Sequence, residues 1–124
     1  MTLPFIILIL LLAFTIDFTI SAIIGISAFW LEDTTSFRFV YEKIIFILGG
    51  MLVPLEIFPE WLRVISVKLP FSYIVYHPAK LFVMFSFKSF LLIIIAQLLY
   101  IIFFGIILST LYKIAVKKVN LHGG

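Results

Sequence analysis

An uninterrupted apolar run covers residues 90–112, with the sequence FLLIIIAQLLYIIFFGIILSTLY. Its only strongly polar side chain is Gln97, for which we expect a hydrogen bond between helices. About 20 apolar residues in a helix cross the roughly 30 Å hydrocarbon core of a bilayer. A single segment in hydrocarbon must satisfy its own backbone hydrogen bonds, which a helix does. We therefore predict a transmembrane helix over residues 88–112.

The composition extends this prediction to the whole chain. Hydrophobic residues make up 65% of the sequence and charged residues 12%. Soluble domains average about 45–50% apolar and about 25% charged residues, so this chain cannot assemble a water-facing surface. The net charge of +3 is small, and we interpret it as a topology signal, not as a nucleic-acid footprint. We predict an all-α membrane protein with one domain, residues 1–124, embedded in the lipid bilayer.

A second long apolar run covers residues 3–30 and predicts another span. Its one formal charge is Asp17, near the middle of the run. A carboxylate at that depth costs several kcal/mol unless it is paired, neutralised or in contact with water. Three interpretations stay open: a polar contact along a substrate pathway, a protonated or partnered side chain that holds helices together, or a first helix shifted so that Asp17 lies near one of its ends.

A shorter uncharged run covers residues 44–55, which is only about 18 Å of helix. The preceding turns could lengthen it to a span over residues 37–55, with Arg38 and Lys43 reaching towards one interface. The alternative is a partial span. Gly49, Gly50 and Pro54 predict a kink or a break within it.

Residues 56–80 repeatedly interrupt helix and carry most of the aromatic anchors. We expect Pro59 near the first position of one helix, Pro70 at its end, and Pro78 at the end or kink of the next. Trp61 shares an apolar face with neighbouring leucine and isoleucine side chains, which is typical of a helix lying in the membrane interface. The region predicts broken re-entrant or interfacial helices between the last two of three transmembrane helices.

Charge placement predicts the orientation. Lys113, Lys117 and Lys118 follow the last span, so the positive-inside rule favours a cytoplasmic carboxyl end. Alternation of three spans then puts residues 56–80 outside and the loop before residue 44 inside.

Two motifs within the interrupted region carry a family resemblance: GMLVPLEIFPEWL, residues 50–62, and LPFSYIVYHP, residues 69–78. In order and spacing they resemble the carboxyl half of type-2 ABC transporter permeases, most closely a bacterial subgroup of paired exporter permeases. The resemblance covers the chain from about residue 28 onward. It implies that residues 3–30 and 37–55 correspond to the fourth and fifth spans, 56–80 to extracytoplasmic re-entrant helices, and 88–112 to the sixth span.

The resemblance also implies function and partners. We expect part of an ATP-driven exporter in a bacterial cytoplasmic membrane, with ATP hydrolysed on a separate ATP-binding subunit and a second permease chain as partner. No catalytic motif, cofactor site or metal site is expected on this chain. The earlier spans and the cytoplasmic coupling segment of a full permease have no counterpart in the sequence, so we expect a gene fragment or one half of a split permease.

The candidate pathway and gate residues are the intramembrane acid and the prolines and aromatic anchors of the interrupted region. They are Asp17, Pro54, Pro59, Trp61, Pro70, Tyr73, Tyr76 and Pro78. The alternative function is a small structural or pore-forming membrane protein that oligomerises without coupling to ATP. Association with an ATP-binding subunit would distinguish the two.

Overall fold

The computed structural model describes residues 3–30, 34–52 and 54–123, and within these ranges the chain folds as helices without strands. Two short 3-10 helices, Ser27–Phe29 and Leu55–Ile57, accompany the α-helices. The α-helices of the described residues are α1 Leu3–Ile26, α2 Thr35–Leu48, α3 Glu60–Ser66, α4 Pro70–Ile74, α5 Tyr76–Val83 and α6 Phe87–Gly123.

Two of these helices, α1 and α6, are long and apolar enough to cross a membrane. The apolar parts contain 24 and 32 residues, or about 36 Å and 48 Å of helix. Only 28% and 11% of their most apolar windows are buried within the protein. A core helix of a soluble protein would bury its apolar side chains, so most of this surface requires another apolar environment. The prediction of an all-helical chain with long apolar helices is confirmed.

The two long helices pack side by side and run parallel. Near their amino ends the rings of Phe5 and Phe90 have centroids 4.9 Å apart. At the opposite end the ammonium of Lys118 lies over the Trp30 ring, 5.9 Å from its centroid. In between, Ile16 and Ile20 of α1 form a cluster on which Tyr100, Ile101 and Phe104 of α6 pack. Contacts therefore advance along both helices in the same direction.

Helix α2 ends earlier than the predicted span over residues 37–55. It stops at Leu48, and Gly50 adopts φ +89°, a left-handed conformation that glycine reaches without a Cβ penalty. The 14 residues of α2 extend about 21 Å, which is shorter than the ~30 Å hydrocarbon core. The predicted break at the glycine pair is confirmed, but a continuous third span is not found. Helix α6, in contrast, continues well past the predicted end at Tyr112.

Residues 60–83, here called the broken segment, form the three short helices α3, α4 and α5. Pro70 occupies the first turn of α4, where its missing N–H costs nothing. Pro78 lies in the first turn of α5, so the break falls at Val75 and not at Pro78 itself. The reason is steric: a proline cannot donate to the carbonyl four residues earlier, Ile74, and its ring clashes there. The prolines thus begin helices more than they end them.

Helix α4 is the most enclosed part of the broken segment, because it contacts α1, α2, α5 and α6. On one side Leu81 of α5 joins Ile6, Ile9, Phe90 and Ile93 in an apolar cluster. On the other side Phe71 and Tyr73 of α4 pack against the cluster of Ile16, Ile20 and Tyr41. The broken segment therefore lies along the α1–α6 pair and reaches the middle of both helices.

Candidate functional site

A column of aromatic rings links the broken segment to α6. The ring of His77 stacks on Tyr73 at 4.2 Å between centroids, and Tyr73 in turn lies 5.8 Å from Tyr100. Tyr76 meets His77 edge to face at 5.2 Å, and Phe104 continues the column beyond Tyr100 at 6.1 Å. Aromatic pairs at these separations add about 0.5–1.5 kcal/mol each beyond area burial. The column fixes the position of α4 and α5 on α6.

Gln97 joins three helices at the centre of this region. Its side chain is fully buried, and its Nε2 donates to the carbonyl oxygen of Ile9 at 3.2 Å and to that of Tyr73 at 3.1 Å. Both partners are acceptors, so the amide nitrogen must face them. Oε1 is buried without a hydrogen-bond partner in the described part of the chain. The predicted interhelical hydrogen bond is confirmed, and it includes the carboxyl end of α4.

Side chains also satisfy the carbonyls exposed where α3 ends. His77 Nε2 lies 3.0 Å from the carbonyl oxygen of Val67, and the Tyr100 hydroxyl donates to that of Lys68. The Ser72 hydroxyl donates towards Leu69 at 2.8 Å, with Val67 at 3.1 Å. Because a carbonyl only accepts, His77 must carry its proton on Nε2. Burial is the largest influence on the pKa of His77 and lowers it from its ordinary value.

A hydrogen bond and an ion pair lie at the exposed end of the column. The Tyr76 hydroxyl donates to Glu56 Oε1, and Lys80 Nζ lies 3.5 Å from the same carboxylate oxygen. The hydrogen bond from Tyr76 is the main cause that lowers the pKa of Glu56, and the bond to Tyr76 is the main cause that raises the pKa of Lys80. All three groups stay accessible to solvent, so this ion pair contributes little stability. This ion pair joins the 3-10 helix Leu55–Ile57 to α5.

The glycine pair allows α2 to approach the broken segment closely. A Cβ on Gly49 would lie 3.1 Å from the carbonyl oxygen of Phe71 and would overlap the carbonyl oxygen of Ile45. A Cβ on Gly50 would meet the side chain of Tyr76 at 3.2 Å. The pair therefore ends α2 and also makes room for α4 and α5.

Asp17 has a partner within the protein. The Tyr41 hydroxyl donates to Asp17 Oδ1 at 2.7 Å, which ties α2 to α1. Tyr41 is 5% exposed, and its ring lies 6.3 Å from that of Phe71 in α4. Of the interpretations offered by the sequence, the geometry favours a partnered carboxyl that holds helices together, while a pathway role stays a prediction.

The other candidate residues divide into a buried and an exposed group. Tyr73 and Tyr76 lie in the aromatic column, and Pro70 and Pro78 are buried beside it. The exposed candidates are Pro54, Pro59 and Trp61, the last with 68% of its surface accessible. The structure thus brings four of the predicted residues together and leaves three on the outside.

Several residues of this region were not singled out as site candidates from the sequence. Ser72, Tyr100, Glu56 and Lys80 all contribute hydrogen bonds or ion pairs that hold the broken segment. The sequence does contain a signal for such residues: every break in a helix leaves carbonyls without partners, and these need hydrogen-bond donors from elsewhere in the chain.

Among the residues that the structure describes, no group of three or more His, Cys, Asp or Glu side chains could hold an ion. The polar groups of the site instead pair with backbone carbonyls and with one another, which suits a role in positioning helices.

The chain matches no known family model, no curated protein and no solved structure at a significant level.

Proposed function

We propose that this chain is the carboxyl half of the membrane-spanning permease of an ATP-driven ABC exporter. It would form part of the substrate pathway in a bacterial cytoplasmic membrane. ATP hydrolysis would occur on a separate ATP-binding subunit, and a second permease chain would complete the transmembrane domain. The motifs at residues 50–62 and 69–78 supply the family resemblance on which this proposal rests.

The observation that carries the proposal is the parallel packing of α1 and α6 with the broken segment along them. Two parallel helices that both cross a bilayer require the intervening chain to return to the starting side. Here α2 would cover about 21 Å of that return, and the broken segment, which packs beside the middle of α6, would take up the rest. We infer a composite third crossing, made by α2 and the chain that follows it, with re-entrant helices α3 to α5.

Satisfied carbonyls support a membrane-buried position for the broken segment. Irregular backbone at membrane depth is tolerated only where protein or water satisfies its polar groups. The carbonyls of Val67, Lys68, Leu69 and Tyr73 all receive side-chain donors. Three of these donors, His77, Gln97 and Tyr100, lie 10, 24 and 32 residues from the carbonyls they satisfy. These hydrogen bonds support the proposal that the segment is a re-entrant gate held in place by α6.

The distribution of charge supports the orientation. Because α1 and α6 are parallel, Lys113, Lys117 and Lys118 lie at the same end of the protein as Arg38 and Lys43 near the start of α2. This grouping of basic side chains favours that end as cytoplasmic. The broken segment then opens to the extracytoplasmic side.

Orientation can be measured directly because the sequence contains no cysteine. We expect Ser89→Cys in intact cells to react with a membrane-impermeant maleimide, and Lys117→Cys to react only after the membrane is opened. The reverse pattern would contradict the proposed orientation.

Co-purification tests the function itself. The gene is expressed with its native neighbouring genes, with an affinity tag on this chain, and the solubilised complex is isolated. We expect an ATP-binding subunit and a second permease chain to co-purify, with ATP hydrolysis that changes when this chain is omitted. Recovery of a homo-oligomer without ATPase activity would instead favour the structural or pore-forming alternative.

A further inference from the structure

Two cavities lie along α6, and both are lined by Tyr73. The first, about 310 Å³, is bounded by Tyr73, His77, Lys80 and Leu81 on the broken segment. The second, about 490 Å³, is bounded by Lys68, Tyr73 and Tyr100. Tyr73 lines both cavities, so they form consecutive parts of a single groove between the broken segment and α6, here called the α6 groove.

The floor of the α6 groove is a stripe of α6 side chains at helical spacing. These are Ser89, Leu92, Ile93, Ala96, Leu99 and Phe103. From Ser89 to Phe103 the helix advances about 21 Å, roughly the length of an extended acyl chain of 16 to 18 carbons. The floor is apolar throughout apart from Ser89 at its outer end. Its shape and polarity suit a hydrocarbon chain lying along α6.

The outer end of the groove offers hydrogen-bond donors and positive charge. Lys80 and Ser89 line the first cavity at this end, whereas Lys68 lines the second cavity beside Tyr100. No carboxylate lines either cavity among the described residues. Glu56 does pair with Lys80 at 3.5 Å, but both side chains are about half exposed, so exchanging that carboxylate for another anion costs little.

The Tyr73 side chain offers the groove a hydroxyl that is available for hydrogen bonding. The hydroxyls of Tyr41, Tyr76 and Tyr100 each donate to a partner in the protein. Tyr73 is half-buried in the same column, yet its hydroxyl has no hydrogen-bond partner in the described part of the chain, and it borders both cavities. A tyrosine hydroxyl usually has a partner where it is buried, and at this half-buried position the oxygen atoms of a lipid could supply one.

We propose that the α6 groove binds an anionic phospholipid from the surrounding membrane, with one acyl chain along α6 and the phosphate at Lys80. The Tyr73 hydroxyl then donates to an oxygen between headgroup and chain. Charge complementarity and the length of the apolar floor favour this occupant over a zwitterionic lipid or a helix of another subunit. The site requires only that α6 lies in a membrane, so it does not depend on coupling to ATP.

Lipid titration monitored by native mass spectrometry tests the site. The full chain, purified in detergent, is titrated with phosphatidylglycerol or phosphatidylcholine of equal acyl composition, and an apparent Kd is obtained for each. We expect wild type to bind phosphatidylglycerol about fivefold more tightly, since one well-placed lysine near anionic lipid has roughly that effect. Equal affinities for the two lipids would overturn the anionic assignment.

Matched variants separate the groove from general surface charge. Lys80→Gln is expected to abolish the preference for phosphatidylglycerol, whereas Lys88→Gln, at the same end of α6 but outside the lining, is expected to retain it. Ala96→Phe fills the floor and is expected to weaken both lipids severalfold, with Leu98→Phe on an exposed face as control. Tyr73→Phe is expected to weaken phosphatidylglycerol binding severalfold.

The contrary outcomes are equally specific. Equal losses for Lys80→Gln and Lys88→Gln would show surface attraction without a site. Unchanged binding in Ala96→Phe, with helicity confirmed by circular dichroism, would place the lipid elsewhere. Displacement of the lipid by a co-purified protein subunit would assign the groove to an interface. Any of these results would overturn the proposal, while the co-purification test of transporter function would stand separately.

Discussion

The side-chain nitrogen of Gln97 lies 3.1 Å from the carbonyl oxygen of Tyr73, at the point where α4 stops and the chain turns into α5. The last carbonyls of a helix have no partner within it. A side chain from α6 therefore completes a helix of only five residues. The same nitrogen donates to Ile9 in α1, so one buried amide holds together the two long helices and the broken segment.

Replacing Gln97 with Leu should destabilise the fold by about 1–2 kcal/mol, because interhelical hydrogen bonds in membranes contribute roughly 0.6–1.7 kcal/mol each. The loss is moderated because the substitution also removes a buried Oε1 that has no partner. Reversible unfolding in mixed micelles measures the change in the free energy of unfolding. Leu98→Ala, at an exposed position of the same helix, serves as the control. An effect no larger than that of the control would remove Gln97 from its central role.

Glycine substitutions should separate close packing from helix propensity. Gly49→Ala introduces a Cβ against the carbonyl oxygens of Ile45 and Phe71, and overpacking of this kind costs about 1–3 kcal/mol. Gly105→Ala meets nothing within 4 Å and should be neutral or stabilising by up to about 1 kcal/mol. The two variants are compared by thermal unfolding in the same detergent. Similar Tm values would mean that α2 does not pack closely on α4.

The hydrogen bond between Tyr41 and Asp17 should be visible in a double-mutant cycle. Tyr41→Phe removes the donor and leaves the carboxyl in an apolar setting, at an expected cost of about 1–3 kcal/mol. Asp17→Asn keeps an acceptor and should cost less. If the two groups act through each other, the double variant will be less destabilised than the sum of the single ones. Strict additivity would show that the contact is not energetically significant, and would favour the pathway interpretation of Asp17.

Lowering the pH should destabilise the packing of the broken segment, because His77 becomes protonated. Burial lowers its pKa below the ordinary value, so the unfolded imidazole takes up a proton more readily than the folded one. The associated stability is complete above the ordinary histidine pKa of about 6.5 and is lost as the pH falls from there towards the folded pKa. The nearby ammonium of Lys80 acts in the same direction, while the Val67 carbonyl opposes it.

Unfolding measured at pH 7.5 and at pH 5.5 tests this dependence. Wild type should be less stable at the lower pH, and His77→Gln, which keeps a donor for Val67, should lose most of the difference. His122→Gln provides a matched control because it removes the only other histidine in the sequence. An equal change in the free energy of unfolding between the two pH values in both variants would exclude His77 as the source.

Proline substitutions should distinguish the buried gate candidates from the exposed ones. If the chain forms part of the exporter that we propose, Pro70→Ala and Pro78→Ala are expected to reduce export severalfold, because alanine allows the helix to continue through the break. Pro54→Ala and Pro59→Ala, at exposed positions, are expected to have smaller effects. Export is measured against membrane levels of the complex. Unchanged export in the buried variants at normal levels would remove the gate role.

Features set by local chemistry were predictable from the sequence. The two long apolar runs required membrane-length helices, and the Gly49–Gly50 pair marked the end of α2. Break positions were less well predicted because Pro78 acts on Ile74, four residues upstream, and not on its own position. The donors for the freed carbonyls could not be assigned, since Gln97 and Tyr100 lie 24 and 32 residues from the residues they satisfy, Tyr73 and Lys68. Only the packed arrangement brings such pairs together.

The long sequence separation of these donors has a consequence for synthesis at the ribosome. The broken segment is made before α6, yet the carbonyls of Lys68 and Tyr73 receive their hydrogen bonds from Tyr100 and Gln97 of that later helix. In the re-entrant arrangement proposed above, these carbonyls need water until α6 has entered the bilayer, so the segment is expected to wait at the membrane surface. Its entry into the membrane would then follow the insertion of α6.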